Sequence, residues 1–267
     1  MLGKAIGFLI IIFASSGFPL IAHAQYFEDR ANAKKYQDCV ALVGQDRNAA
    51  LTVSRKWFIE GGGVAAQHCE ALALYEMERP NDAATLFEEI ADKLSRGEGL
   101  TEFTRTNKNI LITQLNYLAG VAWRDAGDLD KAYNALSSTM ITLAGQEQYG
   151  YEIYIERGLV QHEMGDFKNA VQDFTSALDL NSEKFDAFLY RAESFRKLGE
   201  HIKARLDLNA ALSINPGQPD VLFESGVNYR MQRNDEKALQ EWEKLISLYP
   251  DSYWQKLVQD NINLISQ

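Results

Sequence analysis

The residues of this chain most capable of chemistry are its histidines, and their spacing does not fit a metal or catalytic site. His68, His162 and His201 are far apart in the sequence, so no two of them can lie one turn apart on a helix as paired zinc ligands do. His162 and Glu163 open a pattern that resembles a zinc-protease helix, but the second histidine of His-Glu-x-x-His is missing. We therefore expect no metal site.

Two other catalytic signatures are missing from the sequence. The glycines at 61–63 are not followed by the Lys-Ser or Lys-Thr of a phosphate-binding loop. No Gly-x-Ser-x-Gly motif of a serine hydrolase occurs. Acidic residues are plentiful, but on amphipathic helices they are typical of a solvated face. The sequence therefore predicts a protein that is not an enzyme and has no cofactor.

The overall charge limits the class of partner. The 267 residues contain 27 Lys and Arg against 37 Asp and Glu, a formal net charge of −10, and no basic block. A nucleic-acid-binding protein concentrates positive charge to neutralise phosphates, so we expect no nucleic-acid partner. The hydrophobic (46%) and charged (24%) fractions are those of a soluble globular protein.

The first 24 residues have the pattern of a secretory signal peptide. An apolar run covers residues 5–13, and Ala22-His23-Ala24 places small residues at the two positions that signal peptidase recognises, which predicts cleavage before Gln25. The alternative is an uncleaved membrane anchor, but residues 5–22 are marginal in length for a bilayer span. We expect an exported, periplasmic protein of a Gram-negative bacterium, with no integral membrane span after cleavage.

Most of the remaining chain repeats itself. After a turn such as Gly-Asp, an alanine recurs with separations of 38, 34 and 34 residues, at Ala132, Ala170, Ala204 and Ala238. Two units close on Pro216 and Pro250, which are also 34 apart. A 34-residue period of two helices resembles the tetratricopeptide repeat. The resemblance implies an all-α fold, a right-handed α-solenoid of helical hairpins with a C-terminal cap helix.

The packing positions of the units match this family too. Small residues stand where the two helices of a unit would cross, at Gly120, Gly158, Ala192 and Gly226. Large residues follow one turn later at Trp123, Phe195 and Tyr229, although Gln161 breaks the pattern. We assign four repeat units to residues 107–252 and the cap helix to 253–267. The four extra residues between the first two units fall around 145–150.

Residues 25–100 match the repeat less well, and we interpret them as two divergent tetratricopeptide-like hairpins. They predict helices over residues 27–43, 46–60, 64–78 and 81–95. The glycines at 61–63 predict a helix stop between the two hairpins, and Pro80-Asn81-Asp82 predicts the turn of the second. Trp57 before the glycines and His68-Cys69 after them resemble a class of exported α-proteobacterial repeat proteins that carries no settled activity.

The two cysteines of the chain lie in these hairpins. Cys39 and Cys69 are 30 residues apart, on the predicted first helices of consecutive hairpins, and such helices pack side by side in this family. Export to an oxidising compartment permits a disulfide. The alternative, a reactive thiol pair, lacks the Cys-x-x-Cys spacing. We predict a structural disulfide.

The resemblance also predicts where a partner would bind. In tetratricopeptide proteins the first helices line the concave face, and one stripe along each contacts the ligand. Carried onto this sequence, the predicted groove consists of Tyr117, Val121, Arg124, Glu152, Ile155, Leu159, His162, Leu189, Glu193, Arg196, Lys197, Phe223, Val227, Arg230 and Met231.

Four groove positions are equivalent in successive units, and we call them the basic ladder: Arg124, His162, Arg196 and Arg230. Positive charge interleaved with apolar groups suits an extended peptide with acidic groups or a free C-terminal carboxylate. The alternative is that these side chains only solubilise an exposed position, because the net charge of the chain has the opposite sign.

Two arginine–acid pairs recur with a separation of 16 residues: Arg157 with Asp173, and Arg191 with Asp207. This spacing brings an acid on a second helix opposite an arginine on the first. Ion pairs within a repeat are the favoured interpretation, and ligand-binding arginines are the alternative.

Taken together, these patterns predict a non-catalytic protein–protein interaction module of the cell envelope, which binds an extended peptide or partner protein in the concave groove. An alternative is a structural subunit of an envelope assembly that uses its convex face or cap helix. A remote alternative is an enzyme or enzyme accessory, for which no residue is a candidate.

Overall fold

The computed structural model describes residues 30–99, 105, 107–142, 150–250 and 252–265. The predicted signal peptide and most of the predicted insertion near 145–150 lie outside these residues. The described residues form α-helices joined by short turns and contain no strand, which confirms the all-α class. The chain divides into two compact units, Met1–Val160 and Gln161–Gln267.

The described residues of the first unit form three hairpins and the start of a fourth. Its elements are α1 (Arg30–Val43), α2 (Arg47–Trp57), a π-helical turn (Phe58–Gly62), α3 (Gly63–Glu76), α4 (Pro80–Ser95), α5 (Lys108–Asp125), α6 (Leu129–Thr142) and most of α7 (Gly150–Glu163). The turn predicted at 80–82 lies slightly earlier in the structure. Pro80 is the first residue of α4, where its fixed φ is favourable and its missing N–H is not needed.

The second unit continues the same alternation of first and second helices. After the last residues of α7 it contains α8 (Phe167–Leu180), α9 (Phe185–Lys197), α10 (His201–Ile214), α11 (Pro219–Met231), α12 (Asp235–Leu248) and the final helix α13 (Tyr253–Asn263). Apolar side chains of α9 and α10 form one buried cluster, and those of α11, α12 and α13 form another. Each hairpin thus buries its apolar stripe against its own partner helix and a neighbour.

The turns within the hairpins share one geometry. Gly127, Gly165 and Gly199 have φ values of 81°, 82° and 77°, a left-handed conformation that favours glycine. The N–H of the following residue donates to a carbonyl five residues earlier, as Asp128 does to Trp123, which ends the helix in a Schellman motif. These turns explain why the Gly-Asp signal recurs with the period of the repeat.

The small residues predicted at the helix crossings do permit close approach. A Cβ added at Gly120 would lie 2.5 Å from Leu136, and one added at Gly226 would lie 2.1 Å from Nε1 of Trp242. Leu136 and Trp242 are fully buried. The bulky residue of each second helix therefore fills the space that the glycine leaves.

The disulfide between Cys39 and Cys69 is confirmed. It joins α1 to α3, with the two Cα atoms 6.3 Å apart, and both residues are fully buried. Beside it, the hydroxyl of Tyr36 lies 2.7 Å from Nδ1 of His68. The His-Cys pair of the sequence thus belongs to the interior of the N-terminal hairpins.

The glycine run at 61–63 ends the preceding helix, as predicted. The backbone kinks between α2 and α3, because the π-helical turn is not helical at Gly61, where φ is 95°, and Gly63 has a φ of 53°. A Cβ at Gly62 would lie 2.6 Å from Nε1 of Trp57, so the indole covers this glycine. The run is therefore a tight corner, and it directs the residues before Gly61 outward.

Candidate functional site

In the first unit, the ladder residue Arg124 is engaged in an ion pair. Its Nη1 lies 2.6 Å from Oε2 of Glu156, which comes from the next first helix, α7. Both side chains are mostly buried, at 19% and 16% exposed. The next residue of α5, Asp125, accepts a hydrogen bond from the hydroxyl of Tyr75 on α3. Burial and the carboxylate of Asp125 raise the pKa of Tyr75 far above its usual range, so this phenol keeps its proton.

The other predicted groove residues of the first unit are largely buried. Tyr117 and Val121 on α5, and Ile155 and Leu159 on α7, have exposed fractions below a tenth. Burial, followed by the charges of Glu156 and Glu152, raises the pKa of Tyr117 well above its usual value. The apolar residues of the predicted groove are therefore buried in the first unit, and its charged residues surround Arg124.

In the second unit, the ladder residue His162 carries no charge near neutral pH. Its Nδ1 lies 2.8 Å from Oγ of Ser194 on α9. Burial lowers the pKa of His162 to about 4, and the positive charges of Lys197 and Arg196 act in the same direction. This ladder position is therefore a neutral hydrogen-bonding group.

Arg196, the next ladder residue, is held by a carboxylate on the following first helix. Its guanidinium donates from Nε and Nη2 to the two carboxylate oxygens of Glu224 on α11, and Glu224 is only 5% exposed. Burial raises the pKa of Glu224, although Arg196 opposes this shift. Glu193 lies on the same face, and burial together with the charge of Glu224 raises its pKa to about 8.

The pairs Arg124–Glu156 and Arg196–Glu224 represent the same contact in two repeats. The partners are 32 residues apart in the first pair and 28 in the second. The difference of four residues equals the insertion that lengthens the first repeat spacing from 34 to 38. An arginine late in one first helix thus reaches a glutamate early in the next, and only the connecting segment changes in length.

Arg230 is the ladder residue that differs. Within the part of the chain that the structure describes, it makes no hydrogen bond and no ion pair, and its Nε is buried without a partner. The residue 28 positions further on is Val258 of α13, which cannot neutralise it. Phe223 and Val227 lie two turns and one turn before Arg230 on the same face of α11.

The hypothesis of an open basic ladder therefore needs correction. Arg124 and Arg196 are neutralised by glutamates, and His162 is uncharged, so three of the four positions present no free positive charge. The reason is visible in the sequence only once the register is known, because the glutamates are 28 or 32 residues away. Of the remaining predicted residues, Leu189 is buried, whereas Lys197 and Met231 are exposed.

The predicted pair Arg191–Asp207 is formed. Nε and Nη2 of Arg191 each lie 2.8 Å from a carboxylate oxygen of Asp207, and Nη1 lies 3.0 Å from Oγ1 of Thr175. This arginine therefore joins the two helices of its own repeat and also bonds to the second helix of the preceding repeat. Arg157 and Asp173 fall in different units, and their pairing stays a prediction.

Two further searches of the described residues bear on the kind of site. No three His, Cys, Asp or Glu side chains there are grouped so that they could hold a metal ion. Among the same residues, no helix combines the length and apolar character needed to cross a membrane.

Comparison with protein families identifies the repeat. A family model described as "Tetratricopeptide repeat" matches residues 155–219, and a second model of that description matches residues 220–252. These stretches cover the last residues of α7 through α12 and include the ladder residues His162, Arg196 and Arg230. Residues 155–252 therefore consist of tetratricopeptide repeats.

Among curated proteins, the chain is similar to photosystem I assembly protein Ycf3. A Ycf3 protein from Prochlorococcus marinus is 28% identical over 149 residues, which covers 47% of this chain and 83% of that protein. The Ycf3 protein from Acaryochloris marina is 27% identical over 139 residues, with 49% and 83% coverage.

Solved structures show the same fold at low sequence identity. YrrB, described as "a TPR protein with an unusual peptide-binding site", superimposes with a TM-score of 0.55 at 17% identity, covering 78% of this chain and 97% of that chain. MamA residues 41 to the end, from Desulfovibrio magneticus RS-1, superimposes with a TM-score of 0.57 at 14% identity, covering 71% and 97%. The repeated helical hairpins of this chain are thus of a known type.

Proposed function

We propose that this protein is a non-catalytic assembly or scaffolding protein that holds an extended segment of a partner protein against its first helices. The tetratricopeptide fold is one of protein–protein interaction and scaffolding, and no group of catalytic residues emerges from the described part of the chain. The observation that carries the proposal is the set of polar contacts between consecutive first helices: Arg124–Glu156 in the first unit, and His162–Ser194 and Arg196–Glu224 in the second.

These contacts place half-buried charged groups where apolar packing would be more stable. A buried ion pair is often no more stabilising than well-packed hydrophobic residues. Ionisable groups with strongly shifted pKa values, such as Glu193, cluster at functional sites. Such side chains could instead form hydrogen bonds to the polar groups of a bound peptide backbone.

The partner segment, in this proposal, carries an acidic group or its C-terminal carboxylate at Arg230. Arg230 is the ladder arginine that no carboxylate of the described residues neutralises, and the half-exposed side chain of Met231, directly after it, offers apolar contact. A guanidinium binds a carboxylate through two parallel hydrogen bonds. One anionic anchor next to apolar contacts therefore fits this end of the second unit.

The similarity to photosystem I assembly protein Ycf3 supports an assembly role for this chain. We propose that assembly takes place in the periplasm. The signal-peptide pattern of residues 1–24 supports export, and the disulfide between Cys39 and Cys69 fits an oxidising compartment.

The experiment that tests this function is site-specific photo-crosslinking in the native envelope. A photoreactive phenylalanine analogue replaces Met231, which is half exposed and follows Arg230 directly. A matched control carries the same analogue at Leu206, which is 62% exposed on the second helix α10. Each protein is also made with Arg230→Gln, or with Lys203→Gln as a control for loss of an exposed positive charge on α10.

We expect a partner that crosslinks at position 231, is lost with Arg230→Gln and is retained with Lys203→Gln. Crosslinks at position 206 alone would instead indicate the alternative, a structural subunit. Ile202 and Leu206 favour that alternative, because both are exposed one turn apart on α10. If crosslinking at position 231 is unchanged by Arg230→Gln, Arg230 is not an anchor for an acidic group, but the partner still binds at this face.

A further inference from the structure

The π-helical turn between α2 and α3 exposes two large apolar residues, and we call Phe58, Ile59 and Glu60 the N-terminal tip. Ile59 is 85% exposed and Phe58 is 44% exposed, whereas Trp57, directly before them, is buried. The glycine corner at 61–63 creates this arrangement, because it turns the chain back as soon as Trp57 has packed over Gly62. The apolar residues therefore project at a corner of the unit.

The surroundings of the tip are positively charged. Nζ of Lys35 and Nζ of Lys56 lie 4.0 Å and 3.9 Å from the same carboxylate, that of Glu60. One negative charge is thus shared by two exposed lysines. Residues 30–63 contain six Lys and Arg against three Asp and Glu, although the chain as a whole carries −10. At the tip itself, two lysines against one glutamate leave an excess of positive charge on an otherwise acidic protein.

We propose that the N-terminal tip docks the first unit on an anionic lipid surface, with Phe58 and Ile59 entering the boundary below the headgroups and Lys35 and Lys56 on the lipid phosphates. Apolar side chains bind such a boundary by leaving water, and nearby lysines add attraction to anionic headgroups. An acidic protein is otherwise repelled by that surface, so lysines beside the apolar corner favour contact at this point of the unit.

The position of the tip relative to the chain supports a membrane as its partner. Lys35, which reaches Glu60, lies in the second turn of α1, so the beginning of α1 and the tip share one end of the unit. In the sequence, only residues 23–29 separate α1 from the apolar run at 5–22. Seven residues span at most about 25 Å. A bilayer that receives residues 5–22 before their cleavage therefore lies within reach of the tip.

The test measures the depth of individual sites in vesicles, so that it works with the full chain. The polarity-sensitive fluorophore bimane is attached to Ile59→Cys, and in a matched control to Ile202→Cys, another exposed isoleucine on α10. The native cysteines are paired and buried, so labelling is specific. Vesicles of phosphatidylcholine, with or without phosphatidylglycerol, carry a spin-labelled lipid that quenches bimane at short range.

We expect quenching at position 59 at least about fivefold stronger than at 202, and only in vesicles that contain phosphatidylglycerol. The double variant Lys35→Gln and Lys56→Gln should bind vesicles about tenfold more weakly through the tip, whereas the control Lys203→Gln should bind as the wild type does. Retained helicity and an intact disulfide show that each variant is folded. Equal quenching at the two sites, or equal quenching without phosphatidylglycerol, overturns the proposal. If position 59 is not quenched but can be crosslinked to an envelope protein, the proposal is overturned and the tip is a protein interface.

Discussion

Arg191 on α9 and Asp207 on α10 are joined by two hydrogen bonds of 2.8 Å, which fasten the two helices of one hairpin together. The side chains are 19% and 8% exposed, so water replaces neither partner when one is removed. Nη1 of Arg191 also reaches Thr175 of the preceding hairpin, and Ser194 and Arg196 on the same helix bond to neighbouring first helices. The polar residues of α9 thus hold one hairpin together and also connect it to neighbouring repeats.

Replacing Asp207 by alanine is therefore expected to destabilise the second unit. The change leaves a largely buried guanidinium without its counter-charge, which costs about 3 kcal/mol in comparable pairs. Urea unfolding monitored by circular dichroism measures the loss. Lys203→Ala, which removes an exposed pair with Glu200 on the same helix, serves as the control and changes stability by less than about 0.5 kcal/mol. Equal effects of the two variants would show that the buried pair is energetically unimportant.

The glycine at the crossing of α11 and α12 gives a second prediction. Gly226→Ala places a methyl group 2.1 Å from Nε1 of Trp242, which is fully buried and donates to the carbonyl of Phe223. Overpacking of this kind costs about 1–3 kcal/mol. Gly217→Ala is the matched control, because nothing lies within 4 Å of its added carbon. Thermal unfolding should show a lower midpoint for Gly226→Ala alone, and unchanged midpoints for both would mean that the helices separate freely.

The disulfide gives a prediction confined to the first unit. Linking residues 30 apart stabilises a folded chain by about 3–4 kcal/mol in the loop-entropy account. Dithiothreitol should therefore lower the urea midpoint of the wild-type protein by the amount expected for that energy. Cys39→Ala with Cys69→Ala should unfold at the lower midpoint with or without the reductant. A double variant that still responds to dithiothreitol would show that the reagent acts elsewhere.

The sequence was sufficient to predict the hairpins because their signals are local. A left-handed glycine at Gly127, Gly165 or Gly199 closes each turn, and a small residue opposite a bulky one sets each crossing. The disulfide was also predictable, since the repeat register places Cys39 and Cys69 on the first helices of consecutive hairpins. Each of these inferences needs only the residues of one or two adjacent hairpins.

The charge of the groove could not be predicted in the same way. The sequence indicated that Arg124 and Arg196 belong to a basic ladder because each was considered within its own repeat. Their glutamate partners lie on the next first helix. The pKa of His162 likewise depends on burial and on Arg196 and Lys197 from another repeat. Recognising these partners requires the three-dimensional register between repeats. The sequence signal that could have revealed them is a glutamate 28 residues after Arg196 and another 32 residues after Arg124.

Glu193 provides a prediction about the stability of the groove. Its folded-state pKa of about 8 lies above the value near 4.5 of an unfolded glutamate. The folded state therefore holds the proton more tightly, and the stability that this proton contributes is lost as the pH rises from about 4.5 to 8. Glu193→Gln should remove this loss and unfold at higher urea than the wild type at about pH 8, but not at about pH 4. Glu183→Gln, on an exposed turn, is the matched control for the loss of one carboxylate.

His162 gives the opposite dependence on pH in the same unit. Burial, with Lys197 and Arg196 beside it, lowers its folded-state pKa to about 4, below the value near 6.5 of an unfolded histidine. The unfolded state therefore binds a proton first, so the stability that neutral His162 contributes is complete above pH 6.5 and is lost as the pH falls toward 4. Urea unfolding at closely spaced pH values, for the wild type and for His162→Gln, measures this contribution.

The difference between these two unfolding curves isolates His162 from Glu193, because Glu193 titrates in both proteins. We expect the advantage of the wild type over His162→Gln to shrink steadily from pH 6.5 to pH 4. Glutamine can keep a hydrogen bond to Ser194, so the variant is expected to fold. His201→Gln is the control, since its Nδ1 faces the amide oxygen of Asn228 on α11, outside the contacts of His162. If the difference in stability between the wild type and His162→Gln stays constant across this range, the folded-state pKa of His162 is not lowered. In that case Glu224 fully neutralises the charge of Arg196.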